Sequence, residues 1–206
     1  MFRLDDILEH WAQIYRPLSH TPGQKSDHRT FFRVSMIDAN SEFVRNFATT
    51  PSPAMAISTH YNQEMAAQNP NALCYRYAVY FMVKQAAGTL SKTAATDELA
   101  ATEARFATDE LAQDLVSVLR TLKGMANGKS LTKEQMQEIP LDVTAWLRNT
   151  ADNPEYHEGL RGLQLEQVSW GTIPLANGAL NGWQLCGMTI EQIVPRRLCI
   201  VGSKYL

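Results

Sequence analysis

The chain has 206 residues, of which 45% are hydrophobic and 19% are charged, and this suits one folded domain over residues 1–206. Its 19 basic and 21 acidic side chains give a formal net charge of −2, which provides no overall basic field for nucleic acid, so direct nucleic-acid contact is expected to be minor at most. No apolar run approaches the roughly 20 residues of a membrane span, and the N-terminal residues lack a signal-peptide pattern. We therefore expect no membrane contact and a protein made in the cytoplasm, where it stays or joins a particle.

The N-terminal quarter is predicted to alternate helices, strands and a polar loop. Residues 4–15 are expected to form a helix, because their apolar side chains recur at helical spacing. The polar residues 19–30 predict an exposed loop. Short strands are expected at 31–37 and 54–61, with a short helix at 42–47 between them. The apolar stripe of the first helix consists of Leu4, Ile7, Leu8, Trp11 and Ile14.

The clearest strand signal lies at residues 73–84, where bulky side chains alternate on both faces. Because both faces carry bulk, we expect a central strand there. The preceding segment, residues 62–71, is polar and ends in Asn69-Pro70-Asn71, which predicts a turn.

A long helix is predicted from about residue 96 to residue 125. The hexapeptide Ala-Thr-Asp-Glu-Leu-Ala occurs in it twice, at 95–100 and at 107–112. Since Thr-Asp-Glu is typical of a helix start, the second copy is interpreted as a restart of the helix after a bend. Gly124 and Gly128 are expected to end the helix. Its predicted buried stripe consists of Leu111, Leu115, Val118 and Leu122.

The next segment, residues 126–158, is interpreted as an insert of loops and short helices. The pattern Thr132-x-x-Gln135 resembles a capping box that opens a short helix. One further helical turn is expected at 142–147, and a loop is expected at 149–158.

The C-terminal part predicts a long β-hairpin with strands at 163–170 and 183–193. Its tip contains the turn dipeptides Asn177-Gly178 and Asn181-Gly182 together with several apolar side chains. Because exposed apolar tips and exposed strand edges often mark contact surfaces, we expect a subunit interface here. The two adjacent arginines after the second strand are expected to belong to it. The predicted interface residues are Ile173, Pro174, Leu175, Leu180, Trp183, Arg196 and Arg197.

The element order predicts an α+β fold. Sequential strands with short polar links favour a mainly antiparallel sheet, covered by the long helix and the N-terminal helix and ending in the long C-terminal hairpin. We expect one domain over 1–206, with 19–30 and 126–158 as loop or insert segments.

The sequence lacks three common catalytic and nucleotide-binding motifs. It has no G-x-S-x-G, no G-x-x-x-x-G-K-[ST], and no G-x-G-x-x-G that opens a helix. Its three cysteines, an odd number without a C-x-x-C pair, are expected to be buried thiols in a reducing compartment. A metal site from His20, His28 and Asp27 is disfavoured because a flexible loop makes a poor cage. We therefore expect no enzyme, no cofactor and no metal.

The order of elements resembles the tail-terminator, or tail-completion, proteins of long-tailed phages. The resemblance rests on an N-terminal helix, strands like Ala54-Met-Ala-Ile-Ser-Thr59 and Tyr75-Arg-Tyr-Ala-Val-Tyr-Phe81, a covering helix and a final hairpin. It covers most of the chain, but no diagnostic motif accompanies it. The segments 19–50 and 126–158 depart from the compact pattern of the family, which leaves open whether the chain is a terminator or another tail or neck subunit.

The resemblance implies a virion structural protein that is assembled in the host cytoplasm. Its members form a homo-oligomeric, hexameric ring between the tail tube and the neck or head-completion proteins, and they have no catalytic residues. Two other hypotheses stay open. One is an intracellular adaptor that binds another protein through 19–30, and the other is a small enzyme with a site built from His60, Arg76 and Glu166.

Overall fold

The fold is that of a computed structural model, which describes residues 4–23, 29–34, 50–58, 62–66, 69–85, 94–173 and 183–195. The helices are α1 (Leu4–Ile14), α2 (Ala94–Ala126), α3 (Lys133–Glu138), α4 (Leu141–Ala151) and α5 (Pro154–Arg161). The strands are β1 (Phe31–Val34), β2 (Ala54–Ser58), β3 (Asn62–Ala66), β4 (Asn69–Lys84), β5 (Leu163–Gln164), β6 (Trp170–Thr172) and β7 (Trp183–Pro195). The predicted α+β class is confirmed.

The centre of the sheet is the antiparallel pair β4 and β7, whose register runs from Ala72 opposite Pro195 to Lys84 opposite Trp183. Both β2 and β3 pair antiparallel with β4, and β1 lies parallel to β2. Both β5 and β6 pair antiparallel with β7, so the predicted C-terminal hairpin is present with an interrupted first arm. The sheet is therefore mixed but mainly antiparallel, with β4 in the central position expected for it.

The main hydrophobic core lies between one face of the sheet and the helices. Strand alternation places Tyr77, Val79 and Phe81 of β4 on this face, where they are buried. Helix α1 buries its predicted apolar stripe here except for Ile14, which is partly buried, and α2 adds Leu111 and Leu115. The two helices cover the sheet as the sequence predicted, because each carries one continuous apolar stripe.

A second, smaller hydrophobic cluster lies on the opposite face of the sheet. The two clusters are separate because successive residues of a strand point to opposite faces. This explains why β4 carries bulky side chains on both of its faces. The second cluster consists of Phe32, Val34, Ala54, Ala56, Met82, Trp183 and Leu185, with Tyr80 and Ile173 packed against it.

Helix α2 is a single uninterrupted helix of 33 residues, so the predicted restart at 107–112 is wrong. At roughly 100° per residue, the two hexapeptide copies, twelve residues apart, point in directions that differ by about 120°. Leu111 of the second copy therefore lies in the core, whereas Leu99 of the first copy is exposed. Of the two glycines predicted to end the helix, Gly124 lies inside it. Gly128, which has a φ of +83°, lies in the turn that follows the helix.

Two predicted loops are regular structure instead. Residues 62–66 form β3, because pairing with the long edge of β4 supplies backbone hydrogen bonds that a polar composition does not reveal. The predicted loop at 149–158 holds the end of α4 and the start of α5. Asn153 caps α5 by accepting a hydrogen bond from the Glu155 amide, and Pro154 occupies the first helical turn. The capping box at Thr132 is confirmed at the start of α3.

Candidate functional site: the outer face of helix α2

Two residues of the predicted hairpin interface can be located, and both pack against the chain itself. Trp183 is only 7% exposed, and the ammonium of Lys84 lies 4.9 Å from the centre of its ring. Ile173 fills the space above Gly187, where a Cβ atom would come within 2.4 Å of the Ile173 Cδ1. The remaining predicted interface residues, Pro174, Leu175, Leu180, Arg196 and Arg197, lie outside the described residues, and the interface stays a prediction.

The first part of α2 presents an apolar surface that the sequence analysis did not single out. Among residues 98–107 only Ala104 is buried, although the same helix is deeply packed from Leu111 onward. On this segment Leu99 is 60% exposed and Phe106 is 65% exposed. They are seven residues apart, which is close to two helical turns, so they lie on one line along the helix.

We call the surface formed by Leu99, Thr102, Glu103 and Phe106 the outer face of α2. It points away from the buried side of the helix, because Ala104 and Leu111 lie more than 100° around the axis from Leu99. The signal was available in the sequence: neither Leu99 nor Phe106 falls on the predicted buried stripe of α2.

Opposite charges border the outer face of α2 on one flank. Glu98 and Arg105 are both exposed. They are also seven residues apart, so they form a second line along the helix, beside the line of Leu99 and Phe106. Within the described part of the chain, neither side chain forms a salt bridge. The arrangement of an apolar line and a charged flank is suited to contact with another helix.

The three residues of the enzyme hypothesis are not brought together where they can be located. The guanidinium of Arg76 lies 2.8 Å from Glu191, on the face of the sheet opposite the main core. Glu166 instead accepts a hydrogen bond of 2.8 Å from Lys123 of α2, and this bond lowers the pKa of Glu166. His60 lies outside the described residues.

The start of the predicted loop at 19–30 is anchored to the fold rather than fully exposed. His20 is buried beside the ring of Phe31, and its Nε2 lies 3.6 Å from Glu9. Its Nδ1 is buried with no hydrogen-bond partner in the described part of the structure. Burial lowers the pKa of His20, and Glu9 partly opposes this effect.

Neither described cysteine is placed for nucleophilic chemistry. Cys74 and Cys186 are both buried, and neither forms a disulfide with a described residue. Burial is the main cause that raises the pKa of the Cys186 thiol to about 11, with a further contribution from Asp109. The thiol of Cys186 is therefore protonated at neutral pH and behaves as a small hydrophobic group.

In the ranges that the structure describes, no group of three or more His, Cys, Asp or Glu side chains is arranged to hold a metal ion. Nor is any described helix both long and apolar enough to span a membrane. Comparison with protein-family models, with curated proteins and with solved structures finds no match to this chain.

Proposed function

We propose that the chain is a structural subunit of a protein assembly and that the outer face of α2 binds a second copy of the chain. The observation that carries this proposal is the exposure of Leu99 and Phe106 along one line of a well-formed helix. Burying such a side chain contributes roughly 1.5–3 kcal/mol, so covering both favours association.

The charges beside this line favour a second copy in the antiparallel direction. If Leu99 of one copy lies opposite Phe106 of the other, Glu98 of each copy comes near Arg105 of the other. The two charge pairs would form together, since a two-fold contact uses the same surface twice. A parallel arrangement would instead bring Glu98 near Glu103 and Arg105 near Glu110 of the second copy, so that repulsion and attraction offset each other. In the antiparallel arrangement only the two Glu103 side chains, which lie near the two-fold axis, repel each other, against two attractive pairs.

The larger assembly that we propose is the tail or neck of a long-tailed phage, with a role like that of a tail terminator. The support for this is the element order described above together with the α+β fold. A contact through α2 joins two copies, and a closed ring between tail tube and neck would need a further surface. The predicted interface at the hairpin tip and at Arg196 and Arg197 is the candidate for that second contact.

Light scattering across a range of protein concentrations tests the self-association. The variant Leu99→Gln/Phe106→Gln keeps good helix formers but removes both apolar groups. We expect its association to weaken by at least about tenfold, because two apolar burials are lost. Leu141→Gln is the matched control: Leu141 is 85% exposed on α4, and its replacement should leave association unchanged.

A charge exchange separates self-contact from binding to a different protein. Arg105→Glu alone should weaken association, and Glu98→Arg/Arg105→Glu should restore it, because the exchanged pair is complementary again in an antiparallel contact. Failure of the exchange to restore association would contradict the antiparallel geometry. An oligomer that survives Leu99→Gln/Phe106→Gln unchanged would exclude the α2 contact, and a ring in negative-stain images of that variant would assign assembly to another surface.

A further inference from the structure

The far end of α2 borders a half-open hollow of about 240 Å³. One wall is the face of the last two helical turns, and the other is the chain at Leu165 and Glu166. Three cationic side chains line the hollow, those of Arg120, Lys123 and Lys129, whereas Glu166 is the one carboxylate in its lining. Three positive charges and one negative charge leave the lining at +2, although the whole chain has a formal net charge of −2.

The three cations of the hollow differ in how far a partner neutralises their charge. The Lys123 ammonium lies 2.8 Å from Glu166 and is paired. Arg120 is exposed and donates one hydrogen bond of 3.0 Å to the Leu165 carbonyl, which fixes its guanidinium at the rim without neutralising it. The exposed Lys129 side chain forms no hydrogen bond or salt bridge with the residues that the structure describes. Arg120 and Lys129 therefore supply the uncompensated positive charge.

Gly124 lines the hollow without a side chain. It lies in the last turns of α2, where glycine is less favourable than alanine. A Cβ atom at this position would meet only the Lys129 side chain, at 3.7 Å and 3.9 Å, which is ordinary contact. Packing therefore does not require a glycine here, and the missing side chain leaves space beside the cations.

The negative end of the α2 dipole does not face the hollow with free carbonyl groups. The Lys123 carbonyl accepts from the Asn127 side chain at 2.8 Å, and the Gly124 carbonyl accepts from the Lys129 amide at 2.9 Å. The Ala126 carbonyl accepts from Arg161 at 2.7 Å. These hydrogen bonds partly offset the negative charge at the end of α2, so Arg120 and Lys129 dominate the local field.

We propose that this hollow binds a single phosphate group, either inorganic phosphate or a phosphate monoester, between Arg120 and Lys129. Arg120 provides planar donors that match phosphate oxygens, and Lys129 adds a mobile point charge. The half-open shape leaves a path for the ester substituent into solvent. The proposal is independent of the contact made by the outer face of α2.

Calorimetric titration of the full chain with inorganic phosphate at constant ionic strength tests the site. We expect saturable binding by the wild-type chain and at least about tenfold weaker binding by Lys129→Gln, since a hydrogen bond to a charged group contributes enough for that factor. Lys133→Gln removes the same charge from an exposed lysine of α3 outside the hollow and should bind like wild type. A second titration with glycerol 3-phosphate distinguishes the free anion from a monoester.

Gly124→Ala separates a built site from a loose cluster of cations. Alanine should raise the thermal midpoint, because it favours the helix, while its methyl group narrows the hollow and weakens phosphate binding about tenfold. Gain of stability with loss of binding supports the site. Absence of saturable binding in the wild type, equal loss in Lys129→Gln and Lys133→Gln, or unchanged binding in Gly124→Ala would each overturn it.

Discussion

Gly162 lies so close to β7 that a Cβ atom at this position would come within 2.1 Å of the Ile193 carbonyl oxygen. The backbone atoms also bond there, since the Ile193 amide donates to the Gly162 carbonyl at 2.8 Å. Gly162 is the C-terminal cap of α5, so this contact ties the helical insert directly to the central strand pair. Nearby, the Gln192 side chain donates to the Gly159 carbonyl at 2.9 Å and accepts from the Tyr77 hydroxyl at 3.0 Å.

Gly162→Ala is expected to lower the free energy of unfolding by about 1–3 kcal/mol, because the methyl group meets backbone atoms that cannot rotate away. Urea denaturation followed by circular dichroism measures this change. Gly171→Ala is the control, since a Cβ atom there meets nothing within 4 Å and the change should stay within about 0.5 kcal/mol. Equal stability of the two variants would contradict the close approach of α5 to β7.

Arg33 of β1 is expected to stabilise the N-terminal helix through three carboxylates. Its guanidinium lies 2.7 Å from Asp5, 2.7 Å from Asp6 and 2.8 Å from Glu9, all on α1. Arg33→Met should lower the free energy of unfolding by about 1 kcal/mol, a modest value because the cluster is partly exposed and screened by solvent.

The salt dependence of this effect identifies its electrostatic origin. Without Arg33, the carboxylates of Asp5, Asp6 and Glu9 repel one another, and salt reduces that repulsion. The stability difference between wild type and Arg33→Met should therefore shrink between low salt and about 1 M salt. Arg33→Lys should recover part of the loss, because it keeps the charge but not the planar donors. A difference that is independent of salt would assign the role of Arg33 to packing.

Local periodicity was enough to predict the elements that form the core. The stripe of α1 specifies which face of the helix is buried, the bulk on both faces of β4 predicts its central position, and the capping box at Thr132 specifies where α3 begins. Pairing between distant segments was not visible in the same way. Residues 62–66 are polar, and they form β3 only because β4 offers them an unpaired edge.

The candidate sites depend on long-range geometry that one sequence does not specify. The direction of Leu99 follows from the phase of α2, which is set by the packing of Leu111 and Leu115 against the sheet. The hollow near Gly124 depends on where the chain places Leu165 and Glu166 after α5. Asn153-Pro154, in contrast, is a sequence pattern typical of a helix start. It indicates the start of α5, although a loop was predicted at 149–158.

His20 links α1 to β1 through a buried imidazole, and its surroundings include charges of both signs. Glu9 favours the protonated form, whereas burial, the largest effect, and the positive charges of Arg29 and Arg33 disfavour it. The pKa of His20 in the folded chain is therefore below its ordinary value of 6.5. The unfolded chain then binds more protons than the folded chain as the pH falls below that value.

Stability should accordingly be greatest above pH 6.5 and should decrease as the pH falls through the lowered pKa of His20. Urea unfolding at several pH values between neutral and mildly acidic measures this slope, which should flatten in His20→Gln because glutamine does not titrate. The His20 imidazole proton resonances give an independent reading, with a titration midpoint below 6.5 in the folded chain. A midpoint above that value would mean that Glu9 outweighs burial, and the pH dependence contributed by His20 would then reverse its sign.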